Sequence, residues 1–249
     1  HTRFRNVTGV QTCALPICGT PAPGASAVAG VNKVTWSNPR WPAPYTIPPR
    51  IVMWGGGPAQ GPKAAPGVYT VKVSSGTWSQ SQTFHLAADP RYVPAMTDAD
   101  GAAQLKMALE VGGWLKTLYD NLAKIRDAKQ QAADLSGKAA GDQAAALGAA
   151  SAALTKNLAA VEGDMTQLQG EAGQDALNFP GRMDNQLVAL YSNIVSLERK
   201  LNTAVTERYA DIRPQIDALM ERAGSVLKKE VDSFNAAATR AGAATITIK

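Results

Sequence analysis

Residues 66–73 read Pro-Gly-Val-Tyr-Thr-Val-Lys-Val, and the prediction of the fold starts from them. Alternate residues point to opposite faces of a β-strand, so Tyr69, Val71 and Val73 share one face. Ser74-Ser75-Gly76-Thr77 has the composition of a turn. The residues after it put Trp78, Phe84 and Leu86 on one face of a return strand. The stretch therefore predicts a β-hairpin, and Pro90 closes the β part.

Two further strand candidates precede the hairpin, Val31 to Trp36 and Ile51 to Trp54. Five prolines between the two candidates exclude a central strand or a helix from that stretch: Pro39, Pro42, Pro44, Pro48 and Pro49. A single hairpin is marginally stable, whereas four strands around tryptophan, tyrosine and valine side chains can close a small sandwich. We therefore predict an immunoglobulin-like β-sandwich over residues 31–90.

Downstream of the hairpin, apolar residues recur at spacings of three and four, which is the pattern of amphipathic helices. Four such stripes begin at Val111, Leu147, Leu187 and Val205. Short connections favour antiparallel neighbours, so residues 91–249 are predicted to form an antiparallel helical bundle. A continuous coiled coil is the alternative, but the glycine-containing breaks at 137 and 170–173 disfavour it. The predicted class of the whole chain is multi-domain α+β.

The N-terminal residues are set apart from the fold. Residues 7–17 match the translation of a common sequencing-library adapter, so residues 1–18 are interpreted as an artefact, and the chain as a fragment without its true N-terminus. The two cysteines, Cys13 and Cys18, lie in or beside this segment and carry no redox information. Residues 19–30 are rich in Gly, Pro, Ala and Ser, as linkers are.

Charge and hydropathy give no support to a nucleic-acid partner or to a membrane span. The formal charge of +5 falls to +3 without Arg3 and Arg5, and basic and acidic residues alternate along the predicted helices. This pattern does not favour nucleic acid as a partner. No apolar run approaches the ~20 residues of a membrane span.

No group of residues predicts a reaction, a cofactor or a metal. His85 stands alone on a predicted strand, whereas a metal site needs three or four convergent ligands. A glycosidase needs only a pair of carboxylates, but the seven candidates in or beside the predicted helices are interpreted as solvated helix faces: Asp98, Asp100, Asp120, Asp127, Glu198, Glu207 and Asp211. Four tryptophans could either stack on sugars or pack in a core: Trp36, Trp41, Trp54 and Trp78. No catalytic, cofactor-binding or metal-binding residue is therefore predicted.

Two groups of residues resemble a known family. Residues 61–73, Gly-Pro-Lys-Ala-Ala-Pro-Gly-Val-Tyr-Thr-Val-Lys-Val, together with Phe84-His85-Leu86-Ala87-Ala88-Asp89-Pro90-Arg91, are similar to the Ig-like module that follows sortilin-like BNR-repeat β-propellers. Residues 173–187, Gly-Gln-Asp-Ala-Leu-Asn-Phe-Pro-Gly-Arg-Met-Asp-Asn-Gln-Leu, are similar to the helical tail of the same proteins. That family is described as glycosyl-hydrolase-like or sialidase-like and exported. The resemblance covers most of residues 31–240.

The resemblance implies a role but carries over no catalytic residue, because the family's supposed activity belongs to the N-terminal propeller. Ser74-Ser75-Gly76-Thr77-Trp78 lacks the aspartate of an Asp-box. The implied function is a non-catalytic accessory region of an exported (periplasmic or extracellular) protein. Such a region would pack against the propeller of the same polypeptide, or mediate interaction with a carbohydrate or protein partner.

Two alternatives remain open. The chain could be part of a glycoside hydrolase or sialidase-like enzyme whose catalytic propeller is missing here, or it could be a self-assembling helical scaffold. A separate prediction concerns residues 178–182, which are interpreted as a structural junction before the third helix. Pro180 would lie in the first helical turn, Asn178 would cap the helix and Phe179 would be buried. A binding loop that exposes Phe179 and Arg182 is the alternative.

Overall fold

The computed structural model describes residues 40–49, 51–53, 59–75, 77–91, 94, 96–170, 175–196 and 200–248. Its elements in these residues are β1 (Gly67–Ser75), β2 (Trp78–Leu86), α1 (Asp98–Lys138), α2 (Asp142–Met165), a 3₁₀ turn (Asp175–Leu177), α3 (Met183–Ser196) and α4 (Thr203–Arg240). The described part of the chain is therefore mostly helical. The interpretations of residues 1–18 as adapter and 19–30 as linker lie outside the described residues.

The predicted immunoglobulin-like sandwich over residues 31–90 is wrong. Within the described residues the chain has one two-stranded antiparallel sheet and four α-helices, so the α+β prediction with a β-sandwich does not hold. The candidate Val31 to Trp36 lies outside the described residues. In the candidate at 51–54, Val52 makes a single bridge to Gln167, which follows α2 and belongs to no strand.

The physical reason for this error is visible in the proline-rich segment. Tyr45 is buried, and its ring lies 6.0 Å from that of Tyr119 on α1. Arg126, also on α1, donates a hydrogen bond to the carbonyl oxygen of Pro49. This segment packs on helix α1, and among the described residues it forms isolated bridges but no strand of a sheet. A short apolar run between prolines does not distinguish these two outcomes.

The predicted hairpin is confirmed. β1 and β2 pair antiparallel from Gly67 opposite Leu86 to Ser75 opposite Trp78, which leaves a two-residue connection. The faces follow the predicted alternation: the rings of Tyr69 and Phe84 stack with centroids 5.9 Å apart. The hydroxyl of Tyr69 donates to the carbonyl oxygen of Ala65 at 2.6 Å, which fixes the start of the hairpin.

The chain divides into two compact units, and the first contains Ala59–Gly112 and Tyr191–Val205. Here the amide of Gln104 on α1 donates to the carbonyl oxygen of Ile194 on α3 at 2.6 Å. Gly101 permits a close approach, because a Cβ at this position would lie 2.7 Å from Cδ of Pro66. The start of α1, the end of α3 and the segment before β1 therefore pack together.

The second unit contains Tyr45–Pro58, Gly113–Leu190 and Thr206–Lys249. Its core is formed by the apolar stripes of the four helices, with buried members such as Leu122 of α1, Leu158 of α2, Leu187 of α3 and Ile216 of α4. Polar contacts connect the same helices, including an ion pair of Arg222 with Asp164 and a hydrogen bond from Arg208 to Gln186.

The start of α3 differs from the predicted one, whereas α4 begins at Thr203, close to the start of its predicted stripe at Val205, and contains Pro214. α3 begins at Met183, so Pro180 is not in its first turn. The backbone N–H of Phe179 bonds to the carbonyl oxygen of Asp175, and the Phe179 ring is half-buried and not fully buried.

One helix in the described part is long and apolar enough to cross a membrane by length and composition. It is Gln143–Met165 of α2, with a mean hydropathy of 1.2. The sequence was expected to contain no such run. Of the apolar window, 28% is buried, and one face of this helix holds the buried residues Leu147, Leu154, Leu158, Val161 and Met165.

Candidate functional site

The clearest concentration of perturbed polar groups lies in the core of the second unit. We call it the Asp184 cluster and define it as the six residues Tyr119, Arg126, Lys129, Glu162, Thr166 and Asp184. α1 supplies three of these residues, α2 and its C-cap supply two, and α3 supplies one. Strongly perturbed titratable groups are more frequent at functional sites than elsewhere, although structural ion pairs produce them too.

Glu162 is the buried centre of an ion triad whose two cations are partly exposed. Its Oε1 accepts from Nε of Arg126 at 2.8 Å, and its Oε2 accepts from Nζ of Lys129 at 2.8 Å. Burial raises the pKa of Glu162, but the hydrogen bonds from Lys129 and Arg126 outweigh burial, so the net pKa lies below its usual range. Glu162 is therefore an ionised carboxylate whose two oxygens both have cationic donors.

Asp184 has the opposite environment. It lies in the first turn of α3 and is fully buried. Its Oδ1 accepts the backbone N–H of Asn185 at 2.7 Å, but Oδ2 has no hydrogen-bond partner among the described residues. Burial raises the pKa of Asp184 to about 6, against the smaller lowering effects of Thr166, the Asn185 N–H and Arg126.

Two hydroxyl groups share this environment with Asp184. The hydroxyls of Tyr119 and Thr166 are buried and have no hydrogen-bond partner of ordinary geometry within the described residues. The Thr166 hydroxyl is nevertheless near enough to Asp184 to lower the pKa of that carboxyl. Burial, followed by the charge of Asp184, raises the pKa of the Tyr119 phenol. Burial also raises the pKa of Tyr45, whose ring packs on Tyr119, to about 12.

The end of α2 and the approach to α3 position these groups. Thr166 is the C-cap of α2, and its backbone N–H donates to the carbonyl oxygen of Glu162 at 2.9 Å. The side chain of Gln167 then donates to the carbonyl oxygen of Pro180 at 2.9 Å. These contacts bring Thr166 close to the first turn of α3, which carries Asp184.

The carboxylates considered from the sequence have structural roles where the structure shows their contacts. Asp100 and Thr97 form a capping box at the start of α1: each backbone N–H donates to the other's side chain at 3.1 Å. Asp98 pairs with His85 at 3.0 Å, and both side chains are exposed. Asp120 and Asp211 pair with Lys116 and Arg208 along their own helices. Glu198 lies outside the described residues.

The proposed tryptophan platform is not brought together by the described residues. Trp36 and Trp54 lie outside them. Trp41 is half-buried, and its indole N–H is fully buried, so its polar edge does not face solvent. Trp78 is at the start of β2, and 41% of its surface is exposed. Among the described residues, no group of three or more His, Cys, Asp or Glu could hold a metal ion.

A second notable surface lies in the first unit, on the hairpin. Val68 is 69% exposed, which is unusual for a large aliphatic side chain on a strand. An open groove of about 420 Å³ crosses the opposite face and is lined by apolar and amide side chains, including Val71, Val73, Trp78 and Phe84. We call the two faces together the hairpin surface: Val68 lies on one face, and Val71, Val73, Trp78 and Phe84 lie on the other.

Sequence reasoning missed the Asp184 cluster, although the sequence contained a signal for it. Asp184 precedes Leu187, Val188 and Tyr191 at spacings of three, four and seven, so it lies on the apolar stripe of α3. Glu162 interrupts the stripe of α2 in the same way, next to Val161. A carboxylate on the buried face of a helix has to be paired or protonated.

No protein-family model matches the chain, and no curated protein or solved structure matches it either.

Proposed function

We propose that this chain is a non-catalytic accessory region of an exported BNR-repeat β-propeller protein, and that the hairpin surface is its contact with the propeller. The proposal is carried by one observation, namely that the hairpin exposes large apolar side chains on an otherwise nearly uncharged element. The resemblance of residues 61–91 and 173–187 to that family supports the identity of the partner.

The composition of the hairpin suits a protein interface. Lys72 is the one Lys, Arg, Asp or Glu residue in β1 and β2. Interface cores are depleted of charged residues and enriched in aromatic ones, and Trp78 and the half-buried Phe84 provide the aromatic surface here. Natural sheet edges normally carry charges that discourage pairing with other chains.

The backbone of the hairpin offers a second means of recognition. In the part of the chain that the structure describes, no third strand pairs with β1 or β2. Two strands alone are marginally stable, so an added strand would contribute both backbone hydrogen bonds and cover for apolar side chains. A β-propeller consists of four-stranded sheets, and the edge of such a sheet provides complementary N–H and C=O groups.

The test uses the region that the gene encodes upstream of this chain, purified separately. Binding of the chain to that region is measured by isothermal titration calorimetry, for the wild type and for a double variant, Val68→Lys with Trp78→Ser. We expect the affinity to fall by at least about tenfold in the double variant, because truncation of a central aromatic anchor typically costs that much or more.

The matched control is Leu177→Ser, because Leu177 is 60% exposed but lies in the second unit, away from the hairpin in the sequence. This variant should bind as the wild type does. The proposal is wrong if the upstream region encodes no propeller, if the two purified parts do not bind, or if the hairpin variant binds unchanged.

A further inference from the structure

We propose that Asp184 is a proton-controlled latch: the end of α2 is held against the start of α3 while the carboxyl is protonated, and this junction loosens when the carboxyl ionises. The junction consists of residues 166–170 and 180–184. This inference concerns the second unit and does not depend on the proposed function of the hairpin surface.

Burial favours the neutral form of Asp184 in this position. The side chain is fully buried, and the Asn185 N–H is the one hydrogen-bond donor of ordinary geometry that its carboxyl has among the described residues. When ionised, the carboxylate would therefore keep one charged oxygen, Oδ2, away from water and without a donor in contact. The protonated carboxyl carries no charge, so the same burial costs it much less free energy.

The neighbouring charges do not replace that proton. On α1, Arg126 and Lys129 each bond to Glu162 of α2, and Arg126 also donates to the carbonyl oxygen of Pro49. The segment before α1 and α1 itself contribute the phenols Tyr45 and Tyr119, whose pKa values are raised.

Arg208 of α4 contacts α3 by donating a hydrogen bond to the side chain of Gln186, and it also forms an ion pair with Asp211 on its own helix. The described cations close to this part of α3 thus already have acceptors. An ionised Asp184 would have to reach water, which is costly without a structural change.

Of the segments around Asp184, the junction is the one that can open most easily. Thr166 and Gln167 are buried, but the next residues, Leu168 to Gly170, are exposed. Two contacts of Gln167 are described at this end of α2: its side chain donates a hydrogen bond to the carbonyl oxygen of Pro180, and its backbone forms a β-bridge with Val52. Few buried contacts and an exposed backbone characterise segments that open locally. Hydration of Asp184 therefore requires the loss of these two contacts, and the apolar core between the helices of the second unit stays packed.

The experiment is native-state hydrogen exchange of the full chain at pH 4.5 and pH 7.5, corrected for the intrinsic pH dependence of exchange. Burial raises the pKa of Asp184 from 3.8 to about 6. If the open junction restores the ordinary value, linkage predicts that protection of residues 166–170 and 180–184 falls about 25-fold between the two pH values. Amides in the middle of α1 should show no matching loss.

Two variants separate the latch from a general effect of pH. Asp184→Asn is neutral at both pH values and should abolish the pH dependence of junction protection. Asp164→Asn removes a carboxylate two residues before Thr166 that pairs with Arg222 at the surface, and it should behave as the wild type does. Unchanged protection in the wild type, or the wild-type pH dependence in Asp184→Asn, overturns the proposal.

A direct titration keeps the proposal testable even if Asp184→Asn does not fold. The carboxyl carbon of Asp184 is followed by NMR in the wild-type chain. We expect a midpoint near the value of about 6 given above. A midpoint at or below the ordinary 3.8 means that the ionised carboxylate is well accommodated, and it rules out the latch.

Discussion

Two adjacent glycines in α1 should respond to alanine in opposite directions. At Gly112 an added Cβ would lie 2.4 Å from Cγ and 2.6 Å from Cβ of Pro44. At Gly113 an added Cβ meets nothing within 4 Å. Replacing a helical glycine with alanine contributes about 1 kcal/mol of helix propensity at either position. Gly113→Ala should therefore raise the free energy of unfolding by about 1 kcal/mol.

Gly112→Ala receives the same helix propensity but also introduces a steric clash. The proline ring is rigid, so its backbone has to move to relieve the contact. Overpacking of this kind typically costs about 1–3 kcal/mol, and a contact this short belongs at the upper end of that range. The net effect of Gly112→Ala should be a destabilisation of about 2 kcal/mol. Because the propensity cancels between the two variants, their difference of about 3 kcal/mol measures the clash alone.

Urea denaturation followed by circular dichroism at 222 nm measures both values. The slope m should be equal in the two variants, so that a shift in midpoint reports stability and not a change in the surface exposed on unfolding. If Gly112→Ala is as stable as Gly113→Ala, Pro44 does not pack on α1. The account of the proline-rich segment as a cover for the helix would then be wrong as well.

Three further outcomes are expected. Glu162→Ala leaves two cations without their shared acceptor and should lower the free energy of unfolding, measured in urea, by about 3–5 kcal/mol. Asp164→Ala removes a surface pair and should lower it by less than about 1 kcal/mol. Equal losses would contradict the role of Glu162 as the buried centre of the triad. Phe179→Ala should cost about 1–3 kcal/mol, less than a fully buried phenylalanine, because its ring is half-buried; unchanged stability would favour the binding-loop interpretation. The purified chain should release no product from aryl-glycoside or sialoside substrates in a fluorescence assay, and turnover that survives further purification would argue for the enzyme alternative.

Local sequence patterns predicted the positions of the hairpin and the four helices, because each pattern follows from contacts between residues that are close in the sequence. The strand alternation at Tyr69 and Val71 and the apolar stripes of the four helices correspond to elements of the structure. These signals depend on neighbours within one turn or one strand. The start of α1 follows a local rule as well, since Thr97 forms a capping box with Asp100 three residues later.

Long-range packing was not predictable in the same way. The segment around Tyr45 was assigned to a sandwich because its apolar residues needed a core, and no local signal identified α1 as that core. The Asp184 cluster combines residues from three helices and depends on how the helix ends meet. Asp184 and Glu162 look alike as carboxylates on apolar stripes. Among the described residues, however, Asp184 has no cation in hydrogen-bond contact, whereas Glu162 has two.

These two carboxylates give the second unit opposite dependences on pH. The folded pKa of Glu162 is lowered, so its contribution is present above the unfolded value of 4.5 and is lost as pH falls through the folded value. The folded pKa of Asp184 is raised from 3.8 to about 6, so its contribution is present below 3.8 and is lost as pH rises through 6. That loss amounts to about 3 kcal/mol at 1.36 kcal/mol per pKa unit. For these two groups, stability is therefore highest near pH 4, between the two unfolded values of 3.8 and 4.5. Asp184→Asn should replace that maximum with a plateau above pH 4.5, because only the dependence on Glu162 then remains.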